Sequence, residues 1–218
     1  MAIQITNEDN MELMARYPDN HFDLAIVDPP FGIGNFVQTT GNKRGKEVTW
    51  NDSTPNDEYF NELKRVSKNR IIFGANYYNC FDGNMGAIVW VKNQPMPNFS
   101  KAVIASCSLH KKIEIYKQTW TNFVQEGRST QHPCEMPVKL YEWLLMNYAK
   151  QGDKILDTHL GSGSIAIACH NLGFDLTGFE LDKEYYEAAV KRLNTHQSQK
   201  TIFEDIQEQE KGEQKQLF

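Results

Sequence analysis

The sequence lacks long hydrophobic runs and any segment that resembles a targeting signal. No positively charged start leads into an apolar stretch, and the longest apolar runs, such as residues 87–91, are only as long as a strand. This pattern predicts neither a signal peptide nor a membrane span. We therefore expect an intracellular, cytoplasmic protein.

Cysteine is scarce, and the cysteines that are present form no grouped pattern. The 4 of them, Cys80, Cys107, Cys134 and Cys169, lie far apart and include no CxxC pair. Such spacing argues against a zinc site and against a disulfide framework. We predict no metal site, and we expect ordinary buried or half-buried thiols.

An excess of positive charge is also missing, since the formal net charge is −5. The balance is nevertheless uneven along the chain. Residues 32–131 hold 13 Lys and Arg against 8 Asp and Glu, whereas residues 151–218 hold 7 against 12. A basic middle could contact phosphates while the acidic end faces away from them. A normal mixed surface is the alternative interpretation.

Apolar strand-like segments alternate with helix-like stretches along the 218 residues, of which 40% are hydrophobic. This alternation predicts an α/β fold with one doubly wound, mostly parallel sheet. We expect strands at Phe22–Val27, Arg70–Phe73, Ala87–Val91, Lys112–Tyr116, Lys154–Leu156 and Leu176–Phe179. We expect helices at about 56–66, 137–148, 164–171 and 183–193.

A single domain can account for most of the chain. A core of this size fits residues 1–195, and segment 196–218, rich in Gln, Glu and Lys, is predicted to be a polar tail or frayed helix. Residues 32–49 combine four glycines with three basic residues and little periodicity. That composition predicts a mobile loop of the kind that serves as a lid or binding loop.

A carboxylate, a rigid turn and an aromatic ring follow the first long predicted strand. Asp28-Pro29-Pro30-Phe31 comes directly after the apolar run Phe22–Val27. Because proline fixes φ and has no N–H, we expect the Pro29 carbonyl to be free and aimed outward beside the Asp28 carboxylate. Two acceptors would then face one exocyclic amine of a flat base, and Phe31 could stack on its ring. A strand-ending turn in which Asp28 bonds its own backbone is the alternative.

A glycine turn between a strand and a helix forms a second candidate site. Residues 154–164 read as a strand, then Gly161-Ser162-Gly163, then a helix, and Glu180 ends the following strand about twenty residues on. An acidic side chain there can accept hydrogen bonds from both ribose hydroxyls of an adenosine ligand. Nicotinamide dinucleotides and S-adenosylmethionine both fit this pattern. A P-loop nucleotide does not, because no Lys-Ser/Thr pair follows the glycines.

The order of the two sites is informative, because the aspartate turn comes first and the glycine loop follows about 130 residues later. A dehydrogenase usually opens with its glycine loop. In this order the motifs resemble those of the permuted, beta-type amino-methyltransferases, which act on exocyclic amines of DNA bases. The resemblance covers roughly residues 2–194 and includes residues 132–137, His-Pro-Cys-Glu-Met-Pro, which are similar to the family's His-Pro-Thr-Gln-Lys-Pro.

The resemblance implies a Rossmann-like methyltransferase fold with permuted motif order and S-adenosylmethionine as cofactor. It makes Asp28, Pro29, Pro30 and Phe31 the catalytic residues. It assigns the cofactor to Asp9, which would reach the adenine, and to Asp157, Gly161, Ser162, Gly163 and Glu180. For Asp157, a structural role in holding the glycine turn is as consistent with the sequence as a contact to the methionine amino group.

The sequence departs from the family pattern at two places. Thr158-His159 stands where the family usually has Pro-Phe, and Glu135-Met136 replaces a common Gln-Lys. We therefore carry no cofactor contact over to Glu135 or Met136. His159 is interpreted as a packed histidine rather than a ligand.

The implied reaction is methyl transfer to the amine of a flipped base. Hydrogen bonds to Asp28 and to the Pro29 carbonyl would favour a more tetrahedral nitrogen and direct its lone pair at the methyl group. Aspartate at the first motif position resembles the adenine-N6 members more than the cytosine-N4 members, which often carry serine. We thus expect a site-specific DNA adenine-N6 methyltransferase. The alternatives are cytosine-N4 in DNA, adenine in RNA, a nicotinamide-dependent enzyme and a non-catalytic module.

DNA is the expected partner, and little sequence is left to read a long site. Only residues 117–131 stand where larger relatives insert a target-recognition region. The candidates for phosphate contacts are Lys43, Arg44, Lys46, Lys111, Lys112, Lys117 and Arg128. Homodimers are common in the family and are a further possibility. A role in a restriction-modification system, in a phage or in chromosome maintenance is left open.

The last residues of the sequence resemble a docking peptide. Gln214, Leu217 and Phe218 match the Gln-x-x-Leu-Phe pattern with which bacterial replication proteins bind the sliding clamp. A chance match, or simple packing of the two apolar side chains, is the alternative interpretation.

Overall fold

The computed structural model describes residues 1–32, 53–92, 100–118 and 135–216, with side chains up to residue 199. The strands are β1 (Ile3–Thr6), β2 (Phe22–Val27), β3 (Ser67–Phe73), β4 (Gly86–Val91), β5 (Ala102–Cys107), β6 (Ile113–Lys117), β7 (Lys154–Asp157) and β8 (Asp175–Phe179). The helices are α1 (Asn10–Met14), α2 (Asp57–Val66), α3 (Val138–Tyr148), α4 (Ser164–Leu172) and α5 (Lys183–Gln216). All six predicted strands and all four predicted helices are present, whereas β1, β5 and α1 are not among the predicted elements.

All eight strands form one sheet in the order β1-β8-β7-β2-β3-β5-β4-β6. Strand β5 runs antiparallel to both of its neighbours, and every other pair is parallel. The prediction of a mostly parallel sheet is therefore confirmed. From the centre, the chain moves one way from β2 to β3 and the other way from β7 to β8, so the direction of winding reverses between β2 and β7. Ligands of open α/β sheets bind at such a switch point.

Helices cover the sheet on both faces, as a doubly wound fold requires. On one face, α3 and α4 contribute Leu144 and Ile167 to a cluster that includes Ile26 of β2. On the other face, α1 and α2 contribute Met14 and Leu63 to a second cluster. Burial of apolar side chains on both faces of β2 explains why this strand reads as a continuous hydrophobic run rather than an alternating one.

The ends of the helices follow local sequence signals. The Asn56 side chain accepts a hydrogen bond from the Tyr59 backbone N–H and caps α2. Helix α4 ends at Gly173, which has φ of 79°. Helix α5 does not end near residue 193 but continues to Gln216. No glycine or proline occurs between Lys183 and Lys211 to stop it.

Several sequence predictions can be compared with the described part of the chain only in part. None of the described helices is long and apolar enough to cross a membrane. Cys80, Cys107 and Cys169 are buried free thiols, as expected, and Cys134 lies outside the described residues. Nearly all of loop 32–49, most of segment 117–131 and the side chains beyond residue 199 also lie outside the described residues.

Candidate active site

The candidate site lies along one edge of the sheet, where five neighbouring parallel strands end. The strands β1, β8, β7, β2 and β3 all point toward this edge. The residues that follow them therefore converge, and they include Asp9, Glu180, Thr158, Asp28 and Gly74. Two motifs separated by about 130 residues in sequence thus meet at one edge of the sheet, as the implied methyl transfer requires.

Asp28 lies at the switch point with an unusual electrostatic environment. It is half-buried, and its Oδ1 atom is shielded from solvent with no hydrogen-bond partner among the described residues. Burial raises the pKa of Asp28 to about 7, and the nearby positive charge of Lys92 opposes that rise. A carboxylate oxygen without a partner is available to accept a hydrogen bond from a ligand. In the alternative turn the carboxylate would accept a hydrogen bond from its own backbone, and Oδ1 accepts none among the described residues.

The two prolines after Asp28 are held by a tyrosine from another part of the chain. The Tyr78 hydroxyl lies 2.6 Å from the Pro29 carbonyl oxygen and 2.7 Å from that of Pro30. The expectation of a free Pro29 carbonyl is therefore wrong. The proline pair excludes local N–H donors, as expected, but a distant side chain supplies the donor instead.

The Phe31 ring is positioned by a glycine and a second aromatic ring. It stacks on the exposed Tyr77, with ring centroids 5.0 Å apart and planes inclined by 15°. A Cβ atom at Gly74, whose φ is +74°, would come within 2.3 Å of the Phe31 ring. Glycine is required at this position both by the backbone conformation and by the close approach of the ring.

The glycine loop is tied to Glu180. The Gly161 backbone N–H donates to Glu180 Oε2 at 2.8 Å, and the Asp182 N–H donates to Oε1 at 3.0 Å. Burial raises the pKa of Glu180. Gly163 begins α4 with φ of 74°, and a Cβ atom there would lie 3.0 Å from Cβ of Ala189 in α5. Gly161 also has a positive φ, 51°, so both glycines have a conformational reason, and Glu180 stands at the predicted place.

Asp157 ends β7 with its side chain buried beneath the same loop. Its exposed fraction is 1%, and its Oδ1 accepts a hydrogen bond from the His159 N–H at 3.0 Å. Burial raises its pKa to about 8, and the charges of Asp28 and Glu180 add to that rise. The structural role suggested for Asp157, holding the turn, is thus observed. The buried carboxyl also faces the other two acidic groups of the crevice.

Asp9 and His159 take structural positions at the rim of the site. Asp9 caps α1 by accepting hydrogen bonds from the N–H groups of Met11 and Glu12. The two ring nitrogens of His159 lie 3.0 Å from Thr158 Oγ1 and 3.2 Å from Asn10 Nδ2. Burial lowers the pKa of His159 to about 4, so the ring is neutral at pH 7. These contacts and the burial of the ring agree with the interpretation of His159 as a packed histidine.

An arginine that the sequence analysis did not identify anchors the glycine loop. Arg192 of α5 donates to the Ser162 carbonyl at 2.8 Å and to Ser164 Oγ at 3.0 Å. Its other nitrogen forms an ion pair with Glu135 at 2.7 Å, and the Glu135 side chain is 4% exposed. The departure from the family pattern at Glu135 could have indicated that such a cation exists, because a buried carboxylate needs a cationic partner.

The cations proposed for DNA contacts divide between the two edges of the sheet. Lys111 and Lys112 precede β6 and lie at the edge opposite Asp28, where Lys112 pairs with Glu114. Lys117 ends β6 at the edge of the candidate site. The others, Lys43, Arg44, Lys46 and Arg128, lie outside the described residues.

Two further lysines lie beside Lys117, and the sequence analysis did not identify them. Lys92 follows β4, and its backbone N–H bonds the Lys101 carbonyl at 2.9 Å just before β5. Lys117 pairs with Val91, the last residue of β4. We call Lys92, Lys101 and Lys117 the lysine edge. It extends the rim of the crevice away from Asp28, and its three side chains are all cationic.

The arrangement favours a ligand that carries positive charge. Asp28, Asp157 and Glu180 lie near one another at this edge of the sheet, and burial raises the pKa of each. A bound cation would offset this cost of desolvation, whereas a pyrophosphate would add to the repulsion. The residues therefore fit S-adenosylmethionine, which carries a sulfonium and an ammonium group, better than they fit a dinucleotide.

Comparisons with known proteins agree with this geometry. A family model described as DNA methylase matches residues 101–191. The type II methyltransferase M2.DpnII of Streptococcus pneumoniae is 23% identical over 239 residues, which cover 87% of this chain and 88% of the relative.

Solved structures show the same fold. The complex of M1.HpyAVI with SAM matches with a TM-score of 0.58 and 21% identity, over 88% of this chain and 100% of that chain. The cytosine-N4-specific PvuII DNA methyltransferase also matches with a TM-score of 0.58, at 13% identity, over 87% of this chain and 86% of that chain. The predicted Rossmann-like methyltransferase fold is therefore confirmed.

Proposed function

We propose that the chain is an S-adenosylmethionine-dependent DNA methyltransferase of the N6/N4 family, which it resembles, and that it methylates the exocyclic N6 amine of adenine. The observation that carries this proposal is the Oδ1 atom of Asp28, which is shielded from solvent and lacks a hydrogen-bond partner among the described residues. It lies at the switch point of the sheet, beside the carboxylates that suit a cationic cofactor. An amine N–H is the complementary donor.

The residues of the crevice divide the work between the target base and the cofactor. When bound, S-adenosylmethionine supplies a methyl group on a positively charged sulfur. Glu180 would accept hydrogen bonds from its ribose hydroxyls, and the buried Asp157 would face its positive charge. Asp28 and the Pro29 carbonyl would accept the two N–H groups of the target amine. Holding the nitrogen in this way favours a tetrahedral geometry with the lone pair aimed at the methyl carbon.

The target base has to leave the duplex to reach Asp28. Rotation out of the stack costs on the order of a few kcal/mol. Stacking on the aromatic pair Phe31 and Tyr77 would offset part of that cost. Tyr77 is 42% exposed, so it can meet an incoming base. Adenine is preferred over cytosine because aspartate stands at the first motif position, although the same pair of acceptors would serve either amine.

The lysine edge is our proposed route for the DNA backbone. Lys111 and Lys112 are no longer proposed as phosphate contacts, because they lie at the opposite edge of the sheet. A homodimer remains a prediction. Docking on a sliding clamp through Gln214, Leu217 and Phe218 also remains a prediction, because those side chains lie outside the described residues.

The first test is to identify the methylated nucleoside. The purified protein is incubated with S-adenosylmethionine labelled in its methyl group and with unmethylated duplex DNA, and the DNA is then digested to nucleosides. We expect label in N6-methyladenine. Label in N4-methylcytosine would keep the mechanism and reverse the base assignment. Absence of label in DNA, with label in a parallel RNA substrate, would contradict the proposal.

The same assay tests the role of Asp28. We expect Asp28→Ala to abolish turnover and leave cofactor binding nearly intact, because the side chain contacts the amine rather than the cofactor. Asp57→Ala is the matched control, since Asp57 is an exposed aspartate in the first turn of α2. Substantial turnover by Asp28→Ala would show that the mechanism is wrong.

A further inference from the structure

Tyr78 contacts the catalytic turn from the segment that follows β3. Its hydroxyl lies within hydrogen-bond distance of the carbonyl oxygens of Pro29 and Pro30, although 49 and 48 positions separate it from them in sequence. The two distances, 2.6 and 2.7 Å, are nearly equal. A phenol hydroxyl has one proton, so it can make one strong hydrogen bond at a time or share the proton between two acceptors.

The Tyr78 hydroxyl and the target amine would compete for the Pro29 carbonyl oxygen. In the proposed reaction, this carbonyl must accept an N–H of the target amine. In the structure it already accepts the Tyr78 hydroxyl. A carbonyl oxygen has two lone pairs, but the Tyr78 hydroxyl fixes the direction of one of them and weakens the acceptor that the amine meets. The Pro30 carbonyl offers the same hydroxyl a second partner at almost no displacement.

We propose that Tyr78 is a positioning residue for methyl transfer, which orients the Pro29 carbonyl in the absence of the base and turns its hydroxyl proton to the Pro30 carbonyl when the target amine arrives. This inference rests on the proposed function. The exchange gives the Pro29 carbonyl a donor in both states, the Tyr78 hydroxyl before the base enters and the target amine afterwards. Neither proline can supply a donor of its own, which is why an outside hydroxyl is needed.

Packing keeps the tyrosine ring in place during this exchange. The Tyr78 ring lies 5.3 Å from that of Phe60 in α2 and 6.4 Å from that of Phe31. It packs against the cluster formed by α1, α2 and one face of the sheet. The ring can therefore stay fixed while only the hydroxyl proton turns. Replacement by phenylalanine preserves these contacts and removes the hydroxyl alone.

The test is Tyr78→Phe in the full-length chain, measured with the DNA and the labelled cofactor described above. We expect kcat to fall about ten-fold to a hundred-fold, because the acceptor is no longer held in its reactive geometry. The dissociation constant for S-adenosylmethionine should not change, because Tyr78 contacts the base side of the crevice. Tyr148→Phe is the matched control, since its hydroxyl lies 3.2 Å from His110 Nε2, outside the candidate site.

Three outcomes are decisive. A kcat for Tyr78→Phe equal to that of the wild type, with normal cofactor binding, would overturn the inference and leave the proposed function intact. If Tyr78→Phe lowers both the melting temperature and the affinity for S-adenosylmethionine more than Tyr148→Phe does, the hydroxyl has a purely structural role. That result would also overturn the inference. No transfer to DNA by the wild type would refute the proposed function itself, and the inference with it.

Discussion

At the scale of single residues, Asp28 is where stability and function conflict. Its pKa rises from 3.8 to about 7 because burial disfavours the charged form. The unfolded chain ionises this carboxyl near pH 4, whereas the folded chain keeps it protonated up to about pH 7. The folded state therefore binds the additional proton, and stability falls as pH rises through this window. Above pH 7 the whole penalty is present.

Substitution of Asp28 by asparagine should accordingly stabilise the protein in a pH-dependent way. We expect Asp28→Asn to raise the free energy of unfolding at pH 8 by at most about 4 kcal/mol, from a shift of about three pKa units. At pH 4 the difference should nearly vanish. Urea unfolding at the two pH values measures it, with Asp57→Asn as the control for an exposed carboxylate. A difference that is the same at both pH values would contradict the raised pKa.

The same titration predicts how activity depends on pH. Because the ionised carboxylate is the better acceptor for an amine N–H, kcat/KM of the wild type should rise as pH increases through about 7. A bound sulfonium would favour ionisation of Asp28, so the midpoint in kcat should lie lower than that in kcat/KM. Activity and stability thus change in opposite directions over one pH range.

Much of this site could be read from the sequence at the residue scale, and the part that could not has a physical reason. Asp28 and Glu180 were found because each directly follows an apolar strand, and the carboxyl ends of parallel strands meet at one edge. The partner of the Pro29 carbonyl was missed because Tyr78 reaches it from 49 residues away. No local pattern reports a hydrogen bond formed by tertiary folding.

At the scale of elements, α5 packs against the glycine loop at Ala189 and forms hydrogen bonds with it through Arg192. Arg192 holds the Ser162 carbonyl and Ser164 Oγ, and it pairs with Glu135 on the segment before α3. Three parts of the chain therefore meet at one guanidinium. The fork of an arginine can serve several acceptors in one plane, which a lysine cannot do.

Removal of this guanidinium should weaken both stability and cofactor binding. We expect Arg192→Met to lower the free energy of unfolding by about 3 kcal/mol, because the buried Glu135 carboxylate is left without its cation. The affinity for S-adenosylmethionine should fall as well, since the loop carbonyl no longer has its donor. Chemical unfolding and calorimetric titration measure the two effects.

A pair on the same helix provides the control for this prediction. Lys183 and Glu187 lie 3.8 Å apart with side chains 77% and 63% exposed. Lys183→Met should therefore change stability by less than about 0.5 kcal/mol and leave cofactor binding unchanged. Equal effects of the two substitutions would show that Arg192 contributes only as an ordinary surface charge. Addition of Glu135→Gln to Arg192→Met should restore part of the stability.

The elements themselves were predictable where one physical signal dominated. Strands such as β2 are continuous apolar runs because helices cover both of their faces. Strand β5 was missed because most of its sequence, Ala-Val-Ile-Ala-Ser-Cys, consists of small residues, so its strongly apolar part is short. The length of α5 was underestimated because its second half is polar. Without a row of apolar residues at helical spacing, that half was interpreted as a tail or frayed helix.

At the scale of the whole molecule, the direction of the strands decides which charges can meet DNA. Strands β4 and β6 are parallel and end beside the crevice, so Lys117 lies at the site edge and Lys111 and Lys112 at the opposite edge. The sequence placed all three in one basic stretch within 7 positions. Linear proximity therefore grouped charges that the sheet holds at its two ends.

This separation allows a matched comparison of two double variants. Lys101→Glu with Lys117→Glu reverses two exposed charges of the lysine edge, and Lys111→Glu with Lys112→Glu makes the same change in net charge at the opposite edge. We expect the first pair to weaken DNA binding. The negative slope of log affinity against log salt should become shallower by roughly 0.9 for each phosphate that the protein no longer neutralises. The second pair should leave that slope nearly unchanged.

The comparison separates local binding from the general effect of charge, because both variants make the net charge more negative by the same amount. Lys92 is left intact, since its charge acts on Asp28 and its replacement would alter the catalytic carboxyl as well. Binding isotherms at several salt concentrations, with cofactor affinity as the check on folding, measure the outcome. Equal reductions in affinity for the two variants would mean that DNA senses only the total charge, whereas a larger reduction for the second would move the DNA to the opposite edge of the sheet and contradict the proposed site.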